Sequence, residues 1–128
     1  FNEVMAAYRL PHESEAEKAA RQTAIQIALQ KATVIPLKTA QICAAILDLC
    51  TPLVEIGNVN AISDGGVAAQ CALAGIKGAS LNVLINLASI EDKNFCQQQR
   101  KASETLVEEN NIKADAIFSK VCQKLGAG

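Results

Sequence analysis

Tryptophan is absent and aromatic residues are scarce: Phe1, Tyr8, Phe95 and Phe118 are the whole set in 128 residues. Half of the chain is nevertheless hydrophobic. Its core must be built from Ala, Ile, Leu and Val, which suits close helix packing better than a β-sandwich. The same scarcity removes the stacking platforms that hold single-stranded nucleic acid, and a net charge of −1 leaves no basic footprint for a duplex. Nucleic acid is not an expected partner. No CxxC pair occurs, and the five cysteines, Cys43, Cys50, Cys71, Cys96 and Cys122, are an odd number in helical, mostly apolar contexts. They read as small, reduced core residues of a cytoplasmic protein, the alternative being a reactive or metal-binding thiol. With His12 as the one histidine, zinc-ligand spacing is missing and no metal is expected.

Long apolar runs are missing too. None approaches the roughly 18 residues of a membrane span, so a membrane is not an expected partner. A signal-peptide layout is also absent, and the chain opens on Phe1 in mid-pattern, as a piece of something longer does. Charge is thin in the middle: between Ile35 and Ile90 only Lys38, Asp48, Glu55, Asp64 and Lys77 carry it. A segment so uncharged must be covered on nearly all sides, within the domain or by another subunit. A homo-oligomer, at least a homodimer, is therefore expected.

No strand-length β-branched run is present, and the helical period dominates. Residues 1–9 read as the last turns of a helix, broken at Pro11. Ser14 with Glu17 has the spacing of a capping box, and the following helix to about Thr33 places Ala20, Ala24, Ile27 and Ala28 inside. Pro36 is expected to end or kink it. Leu37 to Ile56 then forms a central helix, interrupted at Pro52 and closed by a left-handed Gly57. Ser63 is read as the cap of a long helix whose seam is Val67, Cys71, Ala74, Gly78, Leu81, Ile85 and Ala88. A last helix spans Lys93 to Leu125, with Phe95, Ala102, Leu106, Ala114, Ile117, Val121 and Leu125 inside, and residues 126–128 read as a frayed tail. The expected fold is all-α, a bundle of long antiparallel helices.

Chemistry concentrates between Gly57 and Leu87. Asn58, Asn60, Ser63 and Asp64 form a polar cluster at a helix start, where the macrodipole keeps a carboxylate charged and suits an anionic or polar ligand. For Asp64 alone, the plain reading is a charge that decorates a helix end. Asn82 and Asn86 are four apart on an apolar helix, and a buried amide without partners costs roughly 1–3 kcal/mol. They either tie neighbouring helices or bond the edge of a heterocycle in a pocket. Arg9, beside the Pro11 loop, has a planar fork that suits a carboxylate.

The stretches FNEVMAAYRLP and ATVIPLKTA, and above all GNVNAISDGGVAAQCALAGIKGASLNVLINL, resemble the cyclodeaminase domain of formiminotransferase-cyclodeaminase and its cyclohydrolase relatives. The likeness covers essentially the whole chain, as the C-terminal part of that helical domain. The glycine-rich segment, the upstream helices and the acidic residue usually assigned as proton donor in that family would precede Phe1. His12 also stands where many members have lysine. The resemblance implies a cytoplasmic, oligomeric folate enzyme that closes 5-formiminotetrahydrofolate to 5,10-methenyltetrahydrofolate with loss of ammonia, or hydrolyses the methenyl form. Folate is then the substrate and no cofactor is expected. Asp64 is the candidate catalytic residue; Arg9, Asn58, Asn60, Ser63, Asn82 and Asn86 are candidate substrate-binding residues. A non-catalytic helical assembly domain is the competing reading.

Overall fold

A computed structural model describes residues 1–126, so the expected tail lies, apart from Gly126, outside the described residues. Helix α1 covers Asn2–Tyr8, α2 Glu15–Ile56, α3 Ile62–Leu87 and α4 Lys93–Lys124, with a short 3-10 turn at Val59–Ala61. No strand occurs among the described residues, as expected. Three long helices make the body, and α1 lies against α2.

Helix α2 starts as its sequence predicts. Ser14 Oγ accepts from the Glu17 N–H at 3.2 Å, and the Glu17 carboxylate accepts from the Ser14 N–H at 2.9 Å. The expected breaks at Pro36 and Pro52 do not occur: both prolines lie inside one helix of 42 residues. A proline removes one N–H and crowds the carbonyl four residues earlier, which leaves that carbonyl to another donor or, at an exposed position, to solvent. For Pro36 that donor comes from α3, as described below.

Gly57 ends α2 in an extended conformation (φ −68°, ψ 167°), not in the left-handed one expected. Glycine is required there for another reason. A Cβ at Gly57 would lie 2.2 Å from the Leu53 carbonyl oxygen, which accepts the Gly57 N–H. Lys124, at the end of α4, donates to the Val54 and Glu55 carbonyls at 2.7 and 2.9 Å. A cation thus sits at the negative end of the α2 dipole.

Helix α3 begins at Ile62, one residue before the expected cap. Ala61 precedes it with no side-chain cap, and Ser63 lies within the first turn. Gly75 and Gly78 do not split the helix. They allow close approach instead: a Cβ at Gly75 would lie 2.7 Å from Cys43 Sγ on α2. On the α4 side, a Cβ at Gly66 would lie 3.2 Å from Val121 Cγ2. At the start of α4, Asp92 caps the helix by accepting from the Phe95 N–H at 3.0 Å.

Cross-helix contacts give the register. Gly65 meets Val54, Gly75 meets Cys43 and Asn86 meets Ala32, so α2 and α3 are antiparallel. Gly66 with Val121, and Ser80 with Ser103 at 2.7 Å, make α3 and α4 antiparallel. Lys113 with Asp48 and Lys120 with Glu55 then run α2 and α4 parallel. The core has two parts: one around Leu47, Val54, Ile76 and Ile117, the other around Ile25, Leu29, Leu37 and Val83.

Helix faces are where the sequence reading departs most from the structure. The expected α3 seam is its outward stripe: Val67, Leu81 and Ile85 are each more than 60% exposed, and Cys71, Ala74, Gly78 and Ala88 are exposed as well. The packed positions are Ala69, Ala72, Ile76, Ala79, Val83 and Leu87. On α2, Ala20 and Ile27 are exposed while Ile25, Ala28 and Leu29 are buried. Leu125 of α4 is exposed, whereas Ala114, Ile117 and Val121 are buried as expected. A helix apolar all round carries no phase information; the partner that covers it decides the buried face. By length and composition alone, α2 and α3 are each apolar enough to cross a membrane, which run lengths between charges had not suggested. Cys50 is the one buried cysteine, Cys43, Cys96 and Cys122 are half-buried, and Cys71 is exposed. The core reading of the thiols therefore fails at Cys71.

Two exposed carboxylates give α2 a pH signature. The Ser14 backbone N–H holds the Glu17 carboxyl below its ordinary 4.5, and the hydrogen bond from Lys120 does the same for Glu55. Both favour the charged form, so their contribution is complete above pH 4.5 and fades as pH falls through the lowered values. In urea titrations from pH 6 to pH 3, the midpoint is expected to fall. The variant carrying Glu17→Gln and Glu55→Gln should show a flatter decline. At neutral pH, Ser14→Ala is expected to lower stability by about 1 kcal/mol.

Candidate functional site

The amide pair and the capped turn do not meet within one chain. Ser63 and Asp64 lie in the first turn of α3 and Asn82 and Asn86 near its end. Helix rise puts about 28 Å between Ser63 and Asn82. The two groups of candidate binding residues therefore lie at opposite ends of α3. At the turn, Asn58 Oδ1 accepts from the Asn60 N–H at 3.0 Å, which shapes the 3-10 turn itself. Asn58, Asn60, Ser63 and Asp64 are all exposed. Ser63 faces a different groove, about 470 Å³, between the start of α3 and Phe118 and Leu125 of α4.

The amides line a larger groove of about 710 Å³ between α2 and α3. Leu29, Ala32, Ile35, Pro36 and Thr39 form its α2 wall. Gly75, Gly78, Ala79, Asn82 and Asn86 form its α3 wall, and Phe1 and Val4 of α1 its mouth. Helix α1 is held there by Arg21, whose Nε and Nη2 donate to the Tyr8 carbonyl at 3.1 and 2.9 Å while its guanidinium lies 5.7 Å from the Tyr8 ring. Arg9 is exposed beyond the end of α1 and is not among the residues that line the groove.

Each amide is oriented by its own bond. Asn86 Nδ2 donates to the Ala32 carbonyl on α2 at 3.1 Å, so Asn86 both ties the helices and lines the groove. Ala32 is the residue four before Pro36, and its carbonyl is the one that Pro36 cannot satisfy. Asn82 Nδ2 donates within α3, to the Gly78 carbonyl, at 3.1 Å. After those bonds each amide keeps its Oδ1 acceptor and one N–H of Nδ2 for a further partner. Thr39 Oγ1 donates to the Ile35 carbonyl at 3.1 Å.

The groove is thus an apolar trough with two amides on one wall and no ionisable side chain in its lining. Its size is within the usual range for small-molecule sites, roughly 300–1,000 Å³. Such an arrangement can position a flat molecule with donors and acceptors along one edge; it does not by itself supply a proton. The α2 wall was missed in sequence because Pro36 reads as a helix break. The available signal was the proline's missing N–H, which demands a donor for Ala32, together with an asparagine in an otherwise apolar helix.

By fold, this is an all-helical domain of three long helices with a polar-tipped groove between two of them. The chain belongs to the formiminotransferase-cyclodeaminase family, whose sequence pattern it matches over residues 1–105. It is 40% identical to a methenyltetrahydrofolate cyclohydrolase of Methylorubrum extorquens over 98% of this chain and 60% of that protein. It is 31% identical to the formimidoyltransferase-cyclodeaminase of Rattus norvegicus over 94% of this chain and 22% of the relative. The crystal structure of a formiminotetrahydrofolate cyclodeaminase from Thermotoga maritima superposes with a TM-score of 0.69 at 29% identity, over 98% of this chain and 57% of that one. The chain therefore spans about three-fifths of the bacterial relatives' length.

The two amides should separate in a stability measurement. Asn86→Leu removes the interhelical bond and leaves the Ala32 carbonyl without a donor, an expected loss of about 1–2 kcal/mol in chemical denaturation. Asn82→Ala removes only a bond within α3 at an exposed position and is expected to stay within about 0.5 kcal/mol of the parent.

Proposed function

We propose that this chain is the helical part of a folate-converting one-carbon enzyme, and that the groove between α2 and α3 holds the substrate's pterin. The observation that carries the reading is the pair of amides on the groove wall in a member of this family. The proposed reaction closes 5-formiminotetrahydrofolate to 5,10-methenyltetrahydrofolate with release of ammonia. Two folate nitrogens must be held in attack geometry, so positioning can supply much of the acceleration. A group to donate a proton to the departing ammonia is also needed. Hydrolysis of the methenyl form is the second reading, favoured by the 40% identity to a protein named for it. No cofactor beyond the folate is invoked, and a cytoplasmic setting goes with the reading.

The groove's missing ionisable group and the outward α3 stripe fit one further element of this reading. The proposed enzyme is a homodimer in which α3 pairs antiparallel with α3 of a second copy, about a two-fold axis near Ala74. In such an isologous contact residue i meets j and j meets i. Asp64 of one copy would then fall beside the Asn82–Asn86 turns of the other, which no single chain achieves. The apolar stripe of Val67, Leu81 and Ile85 would be covered at the same time. Asp64, kept ionised by the helix start, is proposed as the group that takes the proton of the attacking nitrogen on this arrangement, and Asn58, Asn60 and Ser63 as its polar surroundings. Arg9, exposed at the C-terminal end of α1, is proposed to hold the substrate's carboxylate tail.

An assay with 5-formiminotetrahydrofolate and with 5,10-methenyltetrahydrofolate, followed by the near-ultraviolet absorbance of the methenyl product, tests the reading. Turnover of at least one is expected, with Asn82→Ala slowing it about tenfold while leaving stability unchanged. No turnover together with no folate binding would leave the assembly-domain reading in its place. Sedimentation is expected to give a dimer that Ile85→Glu converts to monomers. A folded monomer at high concentration would contradict the pairing.

A further inference from the structure

Resting on the dimer proposed above, we infer that the groove between the start of α3 and the end of α4 is the socket for Leu81 and Ile85 of a second copy, so that α4 is part of the interface. Helix α3 carries the two halves of such a contact at equal distances from Ala74. Leu81 and Ile85, on its C-terminal half, stand 68% and 70% exposed. On its N-terminal half, Ser63, Val67 and Ala74 face Phe118 of α4, and Leu125 just past its end, across a groove of about 470 Å³. Among the described residues no charged side chain lines that groove. The outer face of α4 is mostly polar, yet Phe118 and Leu125 are each left 55% exposed on it.

Val67 is seven residues before Ala74 and Leu81 seven after; Ser63 is eleven before and Ile85 eleven after. A two-fold axis at Ala74 exchanges equal distances before and after it. It therefore sets Leu81 of the second copy beside Val67 and Ile85 of the second copy beside Ser63, at the groove, and the reverse contact forms at the other end. Size matches place: Cys71, Ala74 and Gly78 lie in the middle, where small side chains let two helices approach closely, and the large apolar side chains lie at the ends. A projection without a recess on one half of a helix, and a recess without an occupant on the other, is what an isologous contact requires; an unrelated partner is under no such symmetry. Stripe against stripe alone would leave Phe118 and Leu125 in water, whereas the socket removes their apolar surface as well, twice per dimer. It also fixes the register, because a slip of one turn takes Ile85 off the groove.

Isotope-filtered NMR on a sample mixed from labelled and unlabelled copies reads the contact directly. Within one chain, Val67, which shares the groove with Phe118, is about 21 Å along α3 from Leu81. Magnetisation transfer between the Phe118 ring and the Leu81 or Ile85 methyls must then cross between copies, and it is expected. Sedimentation is the second readout. Phe118→Glu should weaken the dimer at least about tenfold, since it sets a charge in an apolar contact. Leu125→Glu, past the end of α4 and outside the core, carries the same expectation should Phe118→Glu disturb folding. Ile112→Glu, at a still more exposed α4 residue that does not line the groove, should dimerise as the parent does. A dimer that Ile85→Glu breaks and the Phe118 and Leu125 variants leave intact, with no transfer to the Phe118 ring, overturns the inference and leaves the α3 pairing standing. A folded monomer at high concentration overturns both. Neither result decides whether folate is turned over, which the assay above reads separately.

Discussion

The carbonyl oxygen of Ala32 has no donor in its own helix, and the donor that it finds on α3 governs the rest of the molecule. Asn86 supplies that donor at 3.1 Å. With it, α2 continues for 42 residues through Pro36, long enough to pack against all three other helices. A helix that stopped at Pro36 would have given two short rods and no common wall. Asn86 thus serves the fold and the groove with the two ends of one side chain.

The second constraint is surplus apolar surface. Helices α2 and α3 carry apolar residues around most of their circumference, and three helices cannot cover both. Leu49, Leu81 and Ile85 stay about 70% exposed in the single chain. Contiguous apolar surface of this kind marks a contact with another molecule. In the dimer proposed above it is also what would bring a carboxylate to a groove that lacks one.

Much of this was legible in sequence, and the failures have physical causes. The all-helical fold, the Ser14–Glu17 box and the inner face of α4 could all be read, because each rests on local spacing or on a clearly amphipathic pattern. The inner face of α3 could not be read, since Val67, Leu81 and Ile85 are as apolar as Ile76 and Val83, and only the partner distinguishes them. Breaks at Pro36 and Pro52 were expected from local backbone chemistry, and for Pro36 a side chain 50 residues away overrode it. Asn82 and Asn86 stood out correctly as residues that need an explanation. Their distance from Ser63 and Asp64 already follows from one long helix through Gly75 and Gly78, which the structure bears out.

The central claim is that the ligand lies between the Pro36 segment of α2 and the Asn82–Asn86 turns of α3. Isotope-edited NMR of the protein titrated with tetrahydrofolate tests it most directly. The account predicts that shifts concentrate at Ala32, Thr39, Gly78 and the side-chain amides of Asn82 and Asn86. Shifts confined to the groove of Ser63, Phe118 and Leu125, or none at all at saturating folate, would contradict it.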